Sequence, residues 1–397
     1  MKLTEQIQLK KSIKLRGLCH LAKDLYNAAN YIVRQTFFRE NRWIRYYELN
    51  KLLKTTIPYR ALPSQTTQQV LRALEQNWKS FFNACRERRD HSEKFQGCPK
   101  PPKYKRKGGE FVIIFTNQQC VIKDGYLRFP KGVELEPIKT RVNNQLHQVR
   151  IVPKGLYYFL EIVYEKELID LKLNKIRVVG IDLRLNNLLT IVNNAGLAPI
   201  VIKGGIVKST NNFYNKQLAR YKSLKDKQGF KARETRRLQR LSLKRNNKIR
   251  DFFHKASHAV IKYCVANNIG RILIGYNPNW KQEINLGKKN NQNFVAIPFL
   301  KLIHQLKYKG NLLGITVDTI TEEYTSKCSF LDDEPISHHE RYLGTRTTRG
   351  LFKSKQKRII NADCNGAYNL VRKAVPNAFI ADGIEGVGLH PVLVKLS

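Results

Sequence analysis

Asp182, Glu322, Glu323 and Asp363 are the residues of this chain whose type and placement could do chemistry. Asp182 ends the run VVGID, so its carboxylate stands at the tip of a nearly buried strand. A charge in that setting is costly unless it is paired or holds a metal. The bland alternative is a turn acid bonded to the following Asn186-Asn187. Asp363 opens the helical run NADCNGAYNLVRKAV, with Asn365 and Asn369 on the same segment. An acid in a first helical turn is favoured by the helix dipole, and that role is compatible with ligation. Carboxylates converging from separate elements are what phosphodiester hydrolysis by two Mg2+ ions requires. Such ions sit about 3.5 to 4 Å apart and take oxygen ligands and water. A first strand, a later strand and the last helix would each supply one acid.

The later strand is where the pattern breaks. RILIGYN offers Gly275 and Tyr276 where an acid would emerge. The nearest replacements are Asp318, Glu322 and Glu323, all in ITVDTITEE. Alternation puts Val317, Thr319 and Thr321 on one face and Asp318, Ile320 and Glu322 on the other. Which face meets Asp182 stays open, but adjacent strand residues point oppositely. At most one of Glu322 and Glu323 therefore reaches a shared metal site.

The elements that must position these acids can be read from periodicity. Residues 2–10 alternate like a strand, and from Ser12 to Arg89 the pattern is helical, including the long amphipathic run after Leu62-Pro63-Ser64. GCPKPPKYKRKGG, 97–109, is a Pro-, Gly- and Lys-rich break carrying Lys103, Lys105 and Arg106. Short alternating runs with turns at Asp124-Gly125 and Lys154-Gly155 fill 110–166, which predicts a small antiparallel barrel with 2–10 as its first strand. From about Lys175 come three strands, a long helical stretch, and then strand, helix, strand and helix. That is the order of a ribonuclease H-like fold.

Charge identifies the partner. With 72 Lys and Arg against 31 Asp and Glu, the net charge is +41, which calls for a polyanion. Nucleic acid fits better than an anionic membrane, since no apolar run of about 18 residues and no signal-peptide pattern occurs. Residues 216–250 hold 14 Lys and Arg and two acids, among them Arg220, Lys231, Arg233, Arg236, Arg237, Arg240, Lys244 and Arg245. At that density self-repulsion favours contact with a phosphate backbone over a merely solvated face. Gln65, Gln68 and Gln69, at the polar start of the long helix, are candidates for reading base edges, with a plain polar face as the alternative. The seven cysteines include no C-x-x-C pair, as expected for reduced thiols in a cytoplasmic protein. The irregular spacing of Cys328, His338, His339 and Cys364 argues against zinc.

GIDLRLNNLLTIVNN, FFHKASHAVIKYC, ILIGYNPNWKQ, EEYTSKCSFLDDE and RGLFKSKQKRIINADCNGAYNLVRK resemble TnpB, the transposon-encoded relatives of the type V CRISPR effectors. LYNAAN, LPSQTTQQVLRALEQNWKSFF and PPKYK match the N-terminal half of that family in order, so the resemblance covers nearly the whole chain. It implies an RNA-guided DNA endonuclease with a RuvC nuclease domain and two Mg2+ ions, Mn2+ being able to replace them in vitro. Specificity would come from base pairing between a guide RNA and target DNA beside a short motif. The implied partners are guide RNA, double-stranded target DNA and their heteroduplex, bound by a monomer with no membrane.

The implied fold class is mixed α/β and all-β multidomain. A wedge barrel would take 1–11 and 98–174, a helical recognition lobe 12–97, and RuvC 175–324 and 359–380. An insertion at 325–358 would replace the zinc ribbon, and 381–397 would form a tail. Most members carry a Glu after the strand equivalent to ILIGYN and a four-cysteine ribbon, and both are missing here. A subset instead places a Glu three residues before the Thr of YTSK, which is Glu322. The resemblance thus implies Asp182, Glu322 and Asp363 as catalytic metal ligands, with Glu323 in reserve. The competing functions are a nuclease-dead, RNA-guided repressor of the same ancestry and a transposase proper.

Overall fold

The alternating and apolar runs fold into four sheets and eight α-helices among the described residues, which in this computed structural model are 1–229, 235–277, 297–348, 350–379 and 387–396. The chain divides into two compact units, Met1–Lys166 and Glu167–Ser397.

In the first unit, strand β1 (Lys2–Leu9) leads into helix α1 (Ile13–Glu40), whose first turn is closed by Ser12 Oγ accepting from Leu15 N at 3.1 Å. Helices α2 (Tyr46–Leu53) and α3 (Ile57–Arg60) follow, then α4 (Ser64–Asp90). The N-terminal boundary residue of α4 is Pro63, so Ser64 does not cap it but begins it. Helices α1 and α4 pack through a buried seam around Trp78, whose indole Nε1 donates to Asn30 Oδ1 at 3.0 Å. The basic break is neither strand nor free linker. Asn27 and Asn30 of α1 bond the backbone at Lys105 and Pro102, holding the loop along the helix.

Strands β2 (Ile113–Thr116), β6 (Leu146–Lys154) and β7 (Tyr157–Glu165) join β1 in the antiparallel order β1-β7-β6-β2. Strands β3 (Val121–Lys123), β4 (Tyr126–Arg128) and β5 (Ile138–Lys139) make a separate sheet of three. The predicted turns are present: Asp124 and Gly125 both have positive φ between β3 and β4, and Gly155 has one between β6 and β7. The sheets, however, are open. Three strands of two or three residues are too short to carry the ladder around a barrel.

The second unit is built on β8 (Asn174–Asp182), β9 (Asn187–Asn193), β10 (Ile200–Lys203), β11 (Ile269–Gly275) and β12 (Thr316–Ile320), with a short β16 (Val392–Leu393) at one edge. Their order is β12-β11-β8-β9-β10-β16. β8, β9 and β10 form an antiparallel meander, while β8, β11 and β12 run parallel, which puts their C-terminal ends at one edge of the sheet. Helices α5 (Gly205–Lys227), α6 (Arg236–Ala266) and α7 (Phe299–Asn311) complete the crossovers. Helix α8 (Ala362–Ala374) packs on β8 at Gly180, where a Cβ would lie 2.7 Å from Ala367 O and 2.5 Å from Val371 Cγ2. A third sheet, β13 (Thr345–Thr348), β14 (Leu351–Lys353) and β15 (Ile359–Asn361), leads into α8. No helix among the described residues is long and apolar enough to cross a membrane.

Candidate functional site: an acidic cluster at the C-terminal ends of β8 and β11

Asp182 closes β8 and is 1% exposed. Burial pushes its carboxyl up; Arg184 opposes this and Asp363 adds to it. Arg184 Nε donates to Asp182 Oδ2 at 3.0 Å, and its guanidinium is itself held above its ordinary range, chiefly by Asp182. Asp363 sits in the first turn of α8, whose N-terminus is capped by Asn361 Oδ1 accepting from Asp363 N and Cys364 N. Asn187, at the start of β9, donates to Asp363 Oδ2 at 2.7 Å. Arg346 Nη2 lies 3.9 Å from Asp363 Oδ1. The Asn186-Asn187 turn therefore serves Asp363 rather than Asp182.

Glu322 lies two residues beyond the end of β12, in the turn that follows it. Its backbone N–H donates to Asn277 Oδ1 at 2.8 Å, and its carbonyl accepts from Thr325 Oγ1 at 2.9 Å. Its side chain passes under β11. A Cβ on Gly275 would lie 2.9 Å from Glu322 Cγ and 2.5 Å from its Oε1. Burial first, then the charge of Asp182, push its carboxyl up to about 7, with Arg184 acting the other way. Oε1 is buried and has no hydrogen-bond partner among the described residues.

The turn that presents Glu322 is fastened to α8. Asn369 Nδ2 donates to Thr325 O at 2.9 Å and Cys328 O at 2.8 Å, and Asn365 bridges Cys328 O and Phe330 N. Tyr324 takes the left-handed conformation at φ 63° inside this turn.

Asp182, Glu322 and Asp363 are thus brought together, while the other acids point elsewhere. Glu323 is exposed, and Asp318 pairs with Arg271 on the neighbouring strand at 3.1 Å. All three clustered groups offer oxygen. A partnerless buried Oε1 beside a desolvated Asp182 gives the donor chemistry of a hard divalent cation, without the spacing of a closed site. No three carboxylates, His or Cys among the described residues converge to metal-holding distances, and Arg184 supplies the positive charge beside Asp182.

The predicted nucleic-acid residues are spread over both units. In the second, Arg220 of α5 and Arg236, Arg237, Arg240 and Lys244 of α6 are exposed, with Arg237 over the Tyr221 ring at 4.8 Å. Arg245 is half-buried, bonded to Asn211 Oδ1 at 2.8 Å and lying over Tyr214. Lys231 and Arg233 lie outside the described residues. In the first unit Lys103 and Arg106 are exposed, whereas Lys105 lies over Tyr26 and Phe111. Gln65 is engaged with Gln118 at 2.8 Å and with Thr116, and Gln68 and Gln69 are half-buried. Sequence reasoning missed Arg184, Asn277 and Arg346 altogether. An Arg two residues after a candidate ligand, in a stretch with no second acid, was the available signal for the first.

Residues 161–281 match the family described as a probable transposase, OrfB_IS605, and residues 299–370 match the Cas12f1-like TNB domain. A TnpB-like protein, ORF457 of Acidianus two-tailed virus, is 25% identical over 424 residues, spanning 93% of this chain and 87% of the relative. The protein in a structure of the Cas12f1-sgRNA-target DNA complex superposes over 89% of this chain and 81% of its own, with a TM-score of 0.52 and 15% identity, a likeness of fold. The second unit is thus similar in sequence to OrfB-type transposases and to the Cas12f1-like TNB domain, and the chain as a whole is similar to a TnpB-like protein.

Proposed function

We propose that this chain is an RNA-guided DNA endonuclease of the RuvC type, with Asp182, Glu322 and Asp363 as ligands for two Mg2+ ions. One observation carries the reading: a buried, partnerless carboxylate oxygen on Glu322 stands beside a desolvated Asp182 whose carboxyl is also raised by Asp363. The charge of Asp182 raises Glu322 and that of Asp363 raises Asp182, so a cation drawn between these carboxylates would relieve repulsions that Arg184 offsets only in part. The sheet order β12-β11-β8-β9-β10, with α8 delivering the last acid, supports the ribonuclease H-like assignment.

When bound, the ions activate water and neutralise charge developing on the phosphodiester. The chain's own residues do the rest. Asp182, fixed at a strand end, sets the reference position, Asn187 orients the Asp363 carboxylate, and Asn277 and Thr325 orient the backbone that carries Glu322. Glu323 remains in solvent.

The +41 charge and the exposed basic residues of α5 and α6 support a guide RNA and target DNA as partners, as does the likeness to a protein solved with both. The proposed domains are a wedge (1–11, 98–174), a recognition lobe (12–97), RuvC (175–324, 359–380), an insertion in place of a zinc ribbon (325–358) and a tail (381–397), acting as a cytoplasmic monomer. The test is to purify the protein with co-expressed RNA, sequence that RNA, and challenge a matching plasmid with a randomised flank in Mg2+. Cleavage beside a defined flank, lost in Asp182→Ala and Asp363→Ala while RNA is still bound, supports the reading. Binding without cutting by the unaltered chain sinks it in favour of a guided repressor.

A further inference from the structure

At the C-terminal ends of α1 and α4, far along the first unit from the glutamines at the start of α4, lies a cleft of about 660 Å3. Its size falls within the range of small-molecule sites. The floor is aromatic: Phe37, Trp43 and Phe82, with ring centroids 5.0 Å apart for Trp43–Phe82 and 5.5 Å for Phe37–Phe82. Trp78 and Phe81 pack behind this floor.

The rim is cationic, made by Arg45, Arg86 and Arg89, and the lining contains no acid. Of the acids adjacent in sequence to lining residues, Glu40 lies 3.6 Å from Arg42 and Glu87 pairs with Lys94 at 2.7 Å, while Asp90 follows Arg89 at the end of α4. Two further features point to a ligand. Trp43 Nε1 is buried with no hydrogen-bond partner among the described residues, in contrast to the satisfied indole of Trp78. A buried donor left unmatched is costly, and an entering acceptor would relieve it. Arg45 already lies over the Trp43 ring at 5.3 Å, which places a guanidinium plane and an indole face at the same opening.

We infer that this cleft binds one unpaired nucleotide of a single-stranded nucleic acid. Its base would stack on Phe82 beside the edge of Trp43, so that a base acceptor meets Trp43 Nε1 or Asn41, and flanking phosphates would meet Arg86 and Arg89. Aromatic faces take any base and arginines track the backbone, so recognition is by strandedness more than by sequence. A duplex, whose bases are already stacked, cannot enter. The inference stands on the cleft alone and holds whether or not the acidic cluster cuts DNA.

Cys85 lines the cleft and is exposed, and the other exposed described cysteine, Cys98, lies outside it, so the chain carries its own probe and control. Full-length protein is incubated with a four-nucleotide strand bearing 4-thiouridine or 4-thiothymidine, in ribo and deoxyribo versions, and with the matching duplex. Alkylation of Cys85 and Cys98 and the crosslinked peptide are then read by mass spectrometry. Single strand should slow Cys85 at least ~5-fold with Cys98 unchanged, and should crosslink to the segment holding Trp43 or Phe82. Duplex should do neither. The ribo and deoxyribo arms tell which strand the cleft prefers.

Arg86→Glu with Arg89→Glu, both at exposed positions that leave the core intact, should abolish protection and crosslink, and Trp43→Phe should weaken them by removing the donor while keeping a ring. Equal Cys85 rates with and without single strand, or a crosslink that survives the double charge reversal, overturns the inference.

Discussion

Gly275 and Glu322 compete for the same space: a Cβ on the glycine would stand 2.5 Å from Glu322 Oε1. The absence of a side chain at the end of β11 is what lets the acid from beyond β12 pass beneath that strand to Asp182. The two residues are a matched pair, one vacating the position and the other filling it.

Gly275→Ala should therefore disable the site without touching an acid. The added methyl also meets Leu370 Cδ1 at 2.7 Å, so overpacking costs about 1–3 kcal/mol. Plasmid cleavage should drop by ~100-fold or more as Glu322 is displaced, with guide RNA still bound. Undiminished cleavage with a normal Tm would show that Glu322 does not need this path.

The adjacent glutamates should behave oppositely. Glu322→Gln is expected to stop cleavage, and Glu323→Gln, altering an exposed side chain, should leave the rate within about twofold. A reversed outcome in the same cleavage assay would move the ligand by one residue.

Arg184 acts as an internal counter-ion for Asp182. In Arg184→Gln the metal-free protein should lose about 1–3 kcal/mol, because a buried carboxylate loses its charged donor. Mn2+ titration followed by Tm should then show tighter apparent metal binding, since no guanidinium competes for Oδ2. Weaker metal binding by the variant would instead make Arg184 a support for ligation.

The folded chain raises the Glu322 carboxyl from its ordinary 4.5 to about 7, so between those values the folded state keeps a proton that the unfolded chain has released. This group's contribution to stability is greatest below about pH 4.5 and declines as pH rises to about 7. Metal-free Tm should fall over that window, and Glu322→Gln should remove that part of the slope. Saturating Mg2+ should offset the decline, since bound metal stabilises the ionised form. Identical slopes for the two proteins would rule out Glu322 as the titrating group.

Replacing Arg236, Arg237 and Arg240 together by Gln should weaken binding to nucleic acid and reduce the slope of log K against log salt by about 2–3. These side chains are exposed on α6, so Tm should hardly move. An unchanged salt slope would remove this helix face from the backbone contacts.

Much of this site was legible in sequence, for identifiable reasons. Asp182 and Asp363 stand at the ends of strongly patterned elements, where a lone acid is conspicuous. Strand alternation was the ground for separating Glu322 from Glu323, but β12 ends at Ile320, and it is the following turn that leaves Glu323 exposed and Glu322 half-buried. What could not be read were long-range side-chain contacts. Asn187 reaches Asp363 across 176 positions, and Asn369 reaches Thr325 across 44. Periodicity says which face a residue occupies but not which distant loop lies against it. The barrel expectation failed for a related reason: alternation marks strands but does not measure whether pieces as short as β3, β4 and β5 can close a ring.

The asparagine fastening on α8 has a mechanical consequence. Asp363 rides on that helix directly, and Glu322 is tied to it through Thr325 and Asn369. Asp182 belongs to the sheet. Glu322 is held to the sheet as well, through Asn277, so its turn bridges the helix that carries Asp363 and the sheet that carries Asp182. That turn is the joint between helix and sheet, and its two sets of hydrogen bonds fix the separation of the acids that α8 and β8 deliver.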